Sequence, residues 1–225
     1  MTQPIAIFFD VDGTLVSTGG AGHAAWRWSF RTHFGEAVDV DEHTDAGMTD
    51  PAIARRSFIR AFGYDPSARD LAKLISGYLQ RLPREVDASS KYRVLPGVED
   101  ALERLCDQGF LLGLTTGLLE GAAHVKLARG GLGGFFCVGG YGSDAADRTE
   151  LTRRAIERAG AVLGGRLQPS DALVVGDTPK DIEAARAAGA IAVGVATAGS
   201  TLDELRAAGA DAVLETLDDL DPGRL

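Results

Sequence analysis

The 225-residue chain is 45% hydrophobic and 24% charged, the proportions of a globular protein able to bury a sizeable core. Its formal net charge of −9, with only four Lys and no basic run, excludes the phosphate-backbone footprint of a nucleic-acid binder. No apolar run approaches the ~18 residues of a membrane span, and no basic-then-apolar leader opens the chain. The sequence therefore reads as cytoplasmic and soluble, with no membrane partner.

The first element is the stretch IAIFFDVDGTLV, Ile5 to Val16. Its apolar run from Ile5 to Phe9 predicts a buried strand that ends in two acids, Asp10 and Asp12. One charged residue is enough to end a strand. Two acids this close repel each other, which suggests a bound cation or two carboxyls held in different protonation states.

Residues 17–90 hold three helical patterns, roughly Ala21 to Phe34, Asp50 to Phe62 and Ser67 to Leu82, and no convincing strand. Trp26, Phe30 and Phe34 recur at i, i+4 and i+8, a stripe that fills the core of a small bundle. The preceding STGGAG lacks the G-K-[ST] of a nucleotide loop and reads as a flexible joint. GMTDP, Gly47 to Pro51, reads as a helix start capped by Thr49 or Asp50. The polar stretch REVDASSKYRVLPG closes the insertion.

Beyond it, apolar runs alternate with helix-length segments. Phe110 to Thr116, Phe135 to Gly140, Ala172 to Asp177 and Ala190 to Thr197 have the continuous apolarity of strands covered on both faces. GVEDALERLCDQG, RTELTRRAIERAG and DIEAARAAG each read as a helix ending on Gly. Cys106 shares a helical face with Leu102 and Leu105, and Cys137 sits in FFCV, so both read as packed core thiols. At least five strands alternating with helices predict an α/β fold with a doubly wound parallel sheet. Residues 1–16 and 91–225 form its Rossmann-like core, and residues 17–90 an inserted helical cap.

Ligands of such sheets bind beyond the carboxyl ends of the strands. Those ends offer Asp10 and Asp12, Thr115, Thr116 and Gly117, Asp177 and Asp181, and Asp144, Asp147 and Arg148. Helix capping accounts for Asp181 and Asp147 but not for Asp10 with Asp12, nor for Asp177.

This set resembles the haloacid dehalogenase superfamily of phosphohydrolases over nearly the whole chain. D-x-D-G-T stands at Asp10, Asp12, Gly13 and Thr14, a match that chance supplies in about a few per thousand chains of this length. G-D-x-x-x-D after an apolar strand stands at Gly176, Asp177 and Asp181. Thr116, with Thr115 as the alternative, fits the family's strand-end hydroxyl. The family's Lys at the next helix start is absent. Arg148 occupies its place, and Lys126 and Lys91 are the other candidate cations.

The resemblance implies a phosphoric monoester hydrolase in which Asp10 is the nucleophile and Asp12 the general acid and base. Mg²⁺ would be held by Asp10, the backbone carbonyl of Asp12 and Asp177, with Asp181 bonding a metal-bound water. Thr116, the amide of Gly117 and Arg148 would hold the phosphate oxygens. In capped members the region of Met48, Thr49 and Asp50 can face substrate. A helical cap favours a small phosphorylated metabolite, and phosphoglycolate phosphatase is the nearest named activity. TAGSTLDEL lacks the aromatic-Gly pair of those enzymes. A phosphomutase, a metal-independent 2-haloacid dehalogenase and a non-catalytic binding module are the alternatives. Either a monomer or a homodimer is compatible with the sequence.

Overall fold

A computed structural model describes residues 5–224, apart from the side chain of His43. The first run becomes β1 (Ala6–Phe9), buried at every position. After β2 (Val16–Ser17) come α1 (Ala21–Phe34), α2 (Asp50–Phe62) and α3 (Ala68–Ala88), and then β3 (Arg93–Val94). The chain continues through α4 (Val98–Asp107), β4 (Leu111–Thr116), α5 (Glu120–Arg129), β5 (Val138–Tyr141) and α6 (Arg148–Val162). It closes with β6 (Ala172–Gly176), α7 (Pro179–Ala188), β7 (Ile191–Val195), α8 (Leu202–Ala207) and β8 (Ala212–Leu214).

Six strands form one sheet in the order β5-β4-β1-β6-β7-β8, every neighbouring pair parallel. Alternation along β1 divides the core. Ile7 and Phe9 join a cluster with residues of α1, α3, α4 and α5, while Ala6 and Phe8 join one with α6, α7 and α8. The α/β doubly wound sheet expected from the sequence is present. Phe9 lies opposite Leu114 on one side and Val175 on the other, so Asp10, Thr116 and Asp177 all leave at the same carboxyl edge.

Helices α1–α3 pack on one another beside that edge. Trp26 stacks flat on Tyr78 at 4.1 Å, and Phe34 meets Phe58 edge to face at 5.3 Å, so the aromatic stripe fills a bundle core as expected. The chain leaves and re-enters through a two-stranded antiparallel ribbon, β2 with β3, where the sequence pattern shows no convincing strand.

Several boundaries differ from the sequence reading. Helix α3 continues through Pro83 to Ala88 instead of stopping at Leu82. Pro83 lacks the N–H that would bond back one turn, but Leu74, Tyr78, Leu82 and Val86 make one buried stripe that spans it. Helix α6 runs past Gly160 to Val162, since Gly160 is not among the glycines with positive φ, and Gly164 takes the left-handed turn at φ 75. Strand β5 starts at Val138: Leu132–Phe135 is a 3₁₀ turn that lays Phe136 edge-on against Phe9 at 6.2 Å. Both cysteines are exposed, contrary to the reading as core thiols. At about 100° per residue Cys106 lies roughly 90° from the centre of the buried face of α4, and Cys137 precedes β5. The short edge strand β8 and helix α8 were not anticipated.

Candidate functional site

The end of β1 is shaped around Asp177. Asp10 N–H donates to the Val175 carbonyl at 2.9 Å, and the chain then turns through Gly13 at φ +87. A Cβ at Gly13 would stand 2.4 Å from Asp177 Oδ2, so only glycine serves both the turn and the approach. Thr14 Oγ1 donates to Asp177 Oδ1 at 3.0 Å.

Asp181 caps α7, its Oδ2 accepting from Thr178 N–H at 3.0 Å and from Thr178 Oγ1 at 2.6 Å. Its other oxygen pairs with Arg148, the first residue of α6. Arg148 also stands 3.3 Å from Asp10 Oδ1 and donates to the Gly47 carbonyl at 3.1 Å. Carboxylate oxygens of Asp10, Asp177 and Asp181 all lie within 4.8 Å of one another, and the three residues are buried.

Packing three acids against one guanidinium has electrostatic consequences. Burial, reinforced by Asp181, pushes Asp10 well above the ordinary carboxylate range, with Arg148 and a Thr116 hydrogen bond opposing. Burial, then Asp10 and Asp181, push Asp177 up in the same way. Burial disfavours charge on Arg148, but the three acids outweigh it and hold the guanidinium protonated.

The Asp12 side chain lies outside this trio. Its Oδ2 accepts from Lys126 Nζ on α5, a lysine only 3% exposed. Behind Lys126 lies Asp50, the first residue of α2, whose Oδ2 accepts from Leu119 N–H at 2.9 Å. The Trp26 indole and the Tyr78 hydroxyl also bond the Asp50 carboxyl. Burial raises Asp50 to about 6 against the pull of Lys126, and raises Tyr78 far above 10.

Both groups open into one cavity of about 560 Å³, lined from the sheet edge and from the inserted helices. Asp10, Asp12, Thr116, Gly117, Arg148 and Asp177 line it, with Asp181 behind Arg148. Of the two strand-end threonines Thr116 faces the cavity. Thr115 points to the other side of the sheet and pairs with Thr152 at 3.1 Å. Gly117 lets the inserted helices close on the sheet: its carbonyl accepts from Asp50 N–H at 2.8 Å, and a Cβ there would stand 2.7 Å from the Met48 carbonyl. Met48 and Asp50 line the cavity, whereas Thr49 caps α2 in position only, its buried hydroxyl without a partner.

Asp144 and Asp147 stay outside. Asp144 holds Arg158 with both oxygens at 2.7 Å, and Asp147 caps α6 through Glu150 N–H at 3.0 Å. Lys91 is exposed and does not line the cavity. The sequence reading gave Thr14 no separate part and ranked Lys126 second. A signal for Lys126 existed: it shares the buried face of α5 with Ala122, Ala123 and Leu127, where a lysine needs a reason.

A family model described as haloacid dehalogenase-like hydrolase matches residues 6–189. The chain belongs to the haloacid dehalogenase-like hydrolases. It is 31% identical over 216 residues to a phosphoglycolate phosphatase of Synechococcus elongatus, covering 96% of this chain and 94% of that one. Among solved structures it is similar to a hydrolase from Pseudomonas syringae, with TM-score 0.71, 24% identity and coverage of 96% and 95%. It is also similar to CbbY from Rhodobacter sphaeroides in complex with phosphate, with TM-score 0.72, 20% identity and coverage of 96% of each chain. The expected class, a phosphoric monoester hydrolase, agrees with the family and with the phosphatase among these relatives. No described helix is long and apolar enough to cross a membrane.

Proposed function

We propose that the protein is a Mg²⁺-dependent phosphatase of a small phosphorylated metabolite, with phosphoglycolate the first candidate. The observation that carries this is the buried trio Asp10, Asp177 and Asp181 with Arg148, opening into one cavity. The coverage of the Synechococcus phosphatase from end to end supports the choice of candidate.

The donor set fits the metal. Three mutually repelling carboxylates with one guanidinium want further positive charge, and an all-oxygen set suits a hard dication. Both oxygens of Asp181 are engaged, one by Thr178 and one by Arg148, which supports Asp10, the Asp12 carbonyl and Asp177 as direct ligands with Asp181 outside them. When bound, Mg²⁺ neutralises the acids and the phosphoryl oxygens.

The residues of the chain then divide the work. Phosphate monoesters hydrolyse so slowly unaided that enzymes supply up to ~10²¹-fold. A carboxylate oxygen of Asp10 attacks phosphorus and forms an aspartyl-phosphate as the ester P–O bond breaks. Asp12 gives its proton to the departing alkoxide and takes one back from the water that cleaves the acyl phosphate. Thr116, the Gly117 amide and Arg148 hold the non-reacting oxygens. Residues 17–90 serve as the cap that excludes bulk water and large substrates, its domain boundary falling at the β2–β3 ribbon.

The test is inorganic phosphate release from phosphoglycolate and about a hundred other phosphorylated metabolites, with Mg²⁺ and with chelator. Release that requires Mg²⁺ is expected. Full activity in chelator, or metal-free dehalogenation of 2-chloropropionate, overturns the proposal.

A further inference from the structure

We infer that Lys126 anchors a negative charge on the leaving-group side of the substrate, so that the enzyme selects phosphate esters whose alcohol carries a carboxylate. This rests on the phosphatase reading and adds a specificity-determining residue to it.

The cavity holds two buried cations, and they are differently employed. Arg148 is committed to Asp181, Asp10 and the Gly47 carbonyl. Lys126 makes one hydrogen bond among the described residues, to Asp12, although an ammonium has three protons to donate. It is 3% exposed, and a buried ammonium with donors to spare suits an anion that enters the cavity it lines.

Its position says what arrives. Asp10 and Arg148 mark where the phosphoryl group sits, and Asp12, which accepts from Lys126, is the proposed proton donor to the leaving oxygen. Whatever follows that oxygen therefore lies against Lys126. Gly22 has no side chain to fill the space there: a Cβ would stand 3.5 Å from Lys126 Nζ and 3.9 Å from Tyr78 Oη. The stacked rings of Trp26 and Tyr78 line the same cavity as Gly22 and Lys126. A carboxylate close to the ester oxygen can bond Lys126 there, and a neutral alcohol offers the ammonium no anion besides Asp12.

The rival account is that Lys126 only orients Asp12, in which case its loss slows every substrate alike. The two are separated with phosphoglycolate and 2-hydroxyethyl phosphate, which differ by a carboxylate against a hydroxymethyl group. The wild type is expected to favour phosphoglycolate by about thirtyfold or more in kcat/KM, ~2 kcal/mol. Lys126→Met should erase that preference: whatever it costs both esters through Asp12, it should cost phosphoglycolate about tenfold or more beyond its cost on 2-hydroxyethyl phosphate, with Lys126→Arg recovering part. Equal losses on both esters overturn the inference. So does a wild type that cleaves both equally, a result that needs no folded variant. A wild type that cleaves p-nitrophenyl phosphate but neither ester overturns the inference and leaves the phosphatase reading standing. No phosphate release from any ester sinks that reading itself.

Discussion

The Thr14 hydroxyl reaches Asp177 across 163 positions of sequence and fixes the face that the carboxylate turns to the cavity. Partners of this kind typically change metal affinity by about 10–100-fold when removed. Thr14→Val is therefore expected to raise the Mg²⁺ concentration for half-maximal activity by about tenfold or more, with far-ultraviolet circular dichroism unchanged. A Mg²⁺ titration of phosphate release checks it; an unchanged midpoint would show that Asp177 needs no such support.

Arg148 bridges Asp10 and Asp181 from the place where the family has Lys. Arg148→Ala leaves the acids repelling an incoming phosphate dianion, and a loss of at least about tenfold in kcat/KM is expected, ~1.4 kcal/mol. Arg148→Lys should recover part, keeping the charge and losing the planar fork. Steady-state kinetics decides. A silent Arg148→Ala beside a crippled Lys126→Ala on every ester would move the phosphate cation to α5.

Asp10→Asn should abolish turnover, because an amide cannot attack phosphorus as a carboxylate does. Asp12→Asn should instead slow it by about 10²–10⁴-fold, the usual worth of a general acid and base. Rapid-quench peptide mapping locates the phosphoryl group, which is expected on Asp10 alone.

Asp50 ties a pH dependence to the inserted helices. Its folded value of about 6 lies above the ordinary 3.8, so the folded chain holds a proton that the unfolded chain releases first. Stability from this group is thus fully present below about pH 4 and is lost as pH rises through about 6, on the order of 3 kcal/mol in all. Urea unfolding of wild type and Asp50→Asn across that window should give a flatter pH dependence for the variant. Parallel curves would mean that the acid is ionised throughout.

Much of the sheet was legible because strands covered on both faces need unbroken apolar runs, as in β1, β4, β6 and β7. Strand β8 escaped because it has three half-buried residues, and β2 and β3 because two residues make no pattern. The run at Phe135 misled because apolar side chains also fill the core from a turn. The acids Asp10, Asp12 and Asp177 stood out because polar residues straight after buried strands are hard to explain otherwise. Thr14 and Lys126 acquire their surroundings from segments over a hundred residues away, and local spacing does not encode that.

The flat stack of Trp26 on Tyr78 gives the molecule an optical reporter of its own. The indole lines the cavity and bonds Asp50, while the other tryptophan, Trp28, packs under Arg81 at 5.5 Å and lies off the cavity wall. A ligand that binds Lys126 alters the field at Trp26, which lines the same cavity, more than at Trp28, which does not. Emission from the Trp28→Phe protein can therefore follow occupancy of the cavity directly, in a stopped-flow cell and without labels, before any phosphate is released.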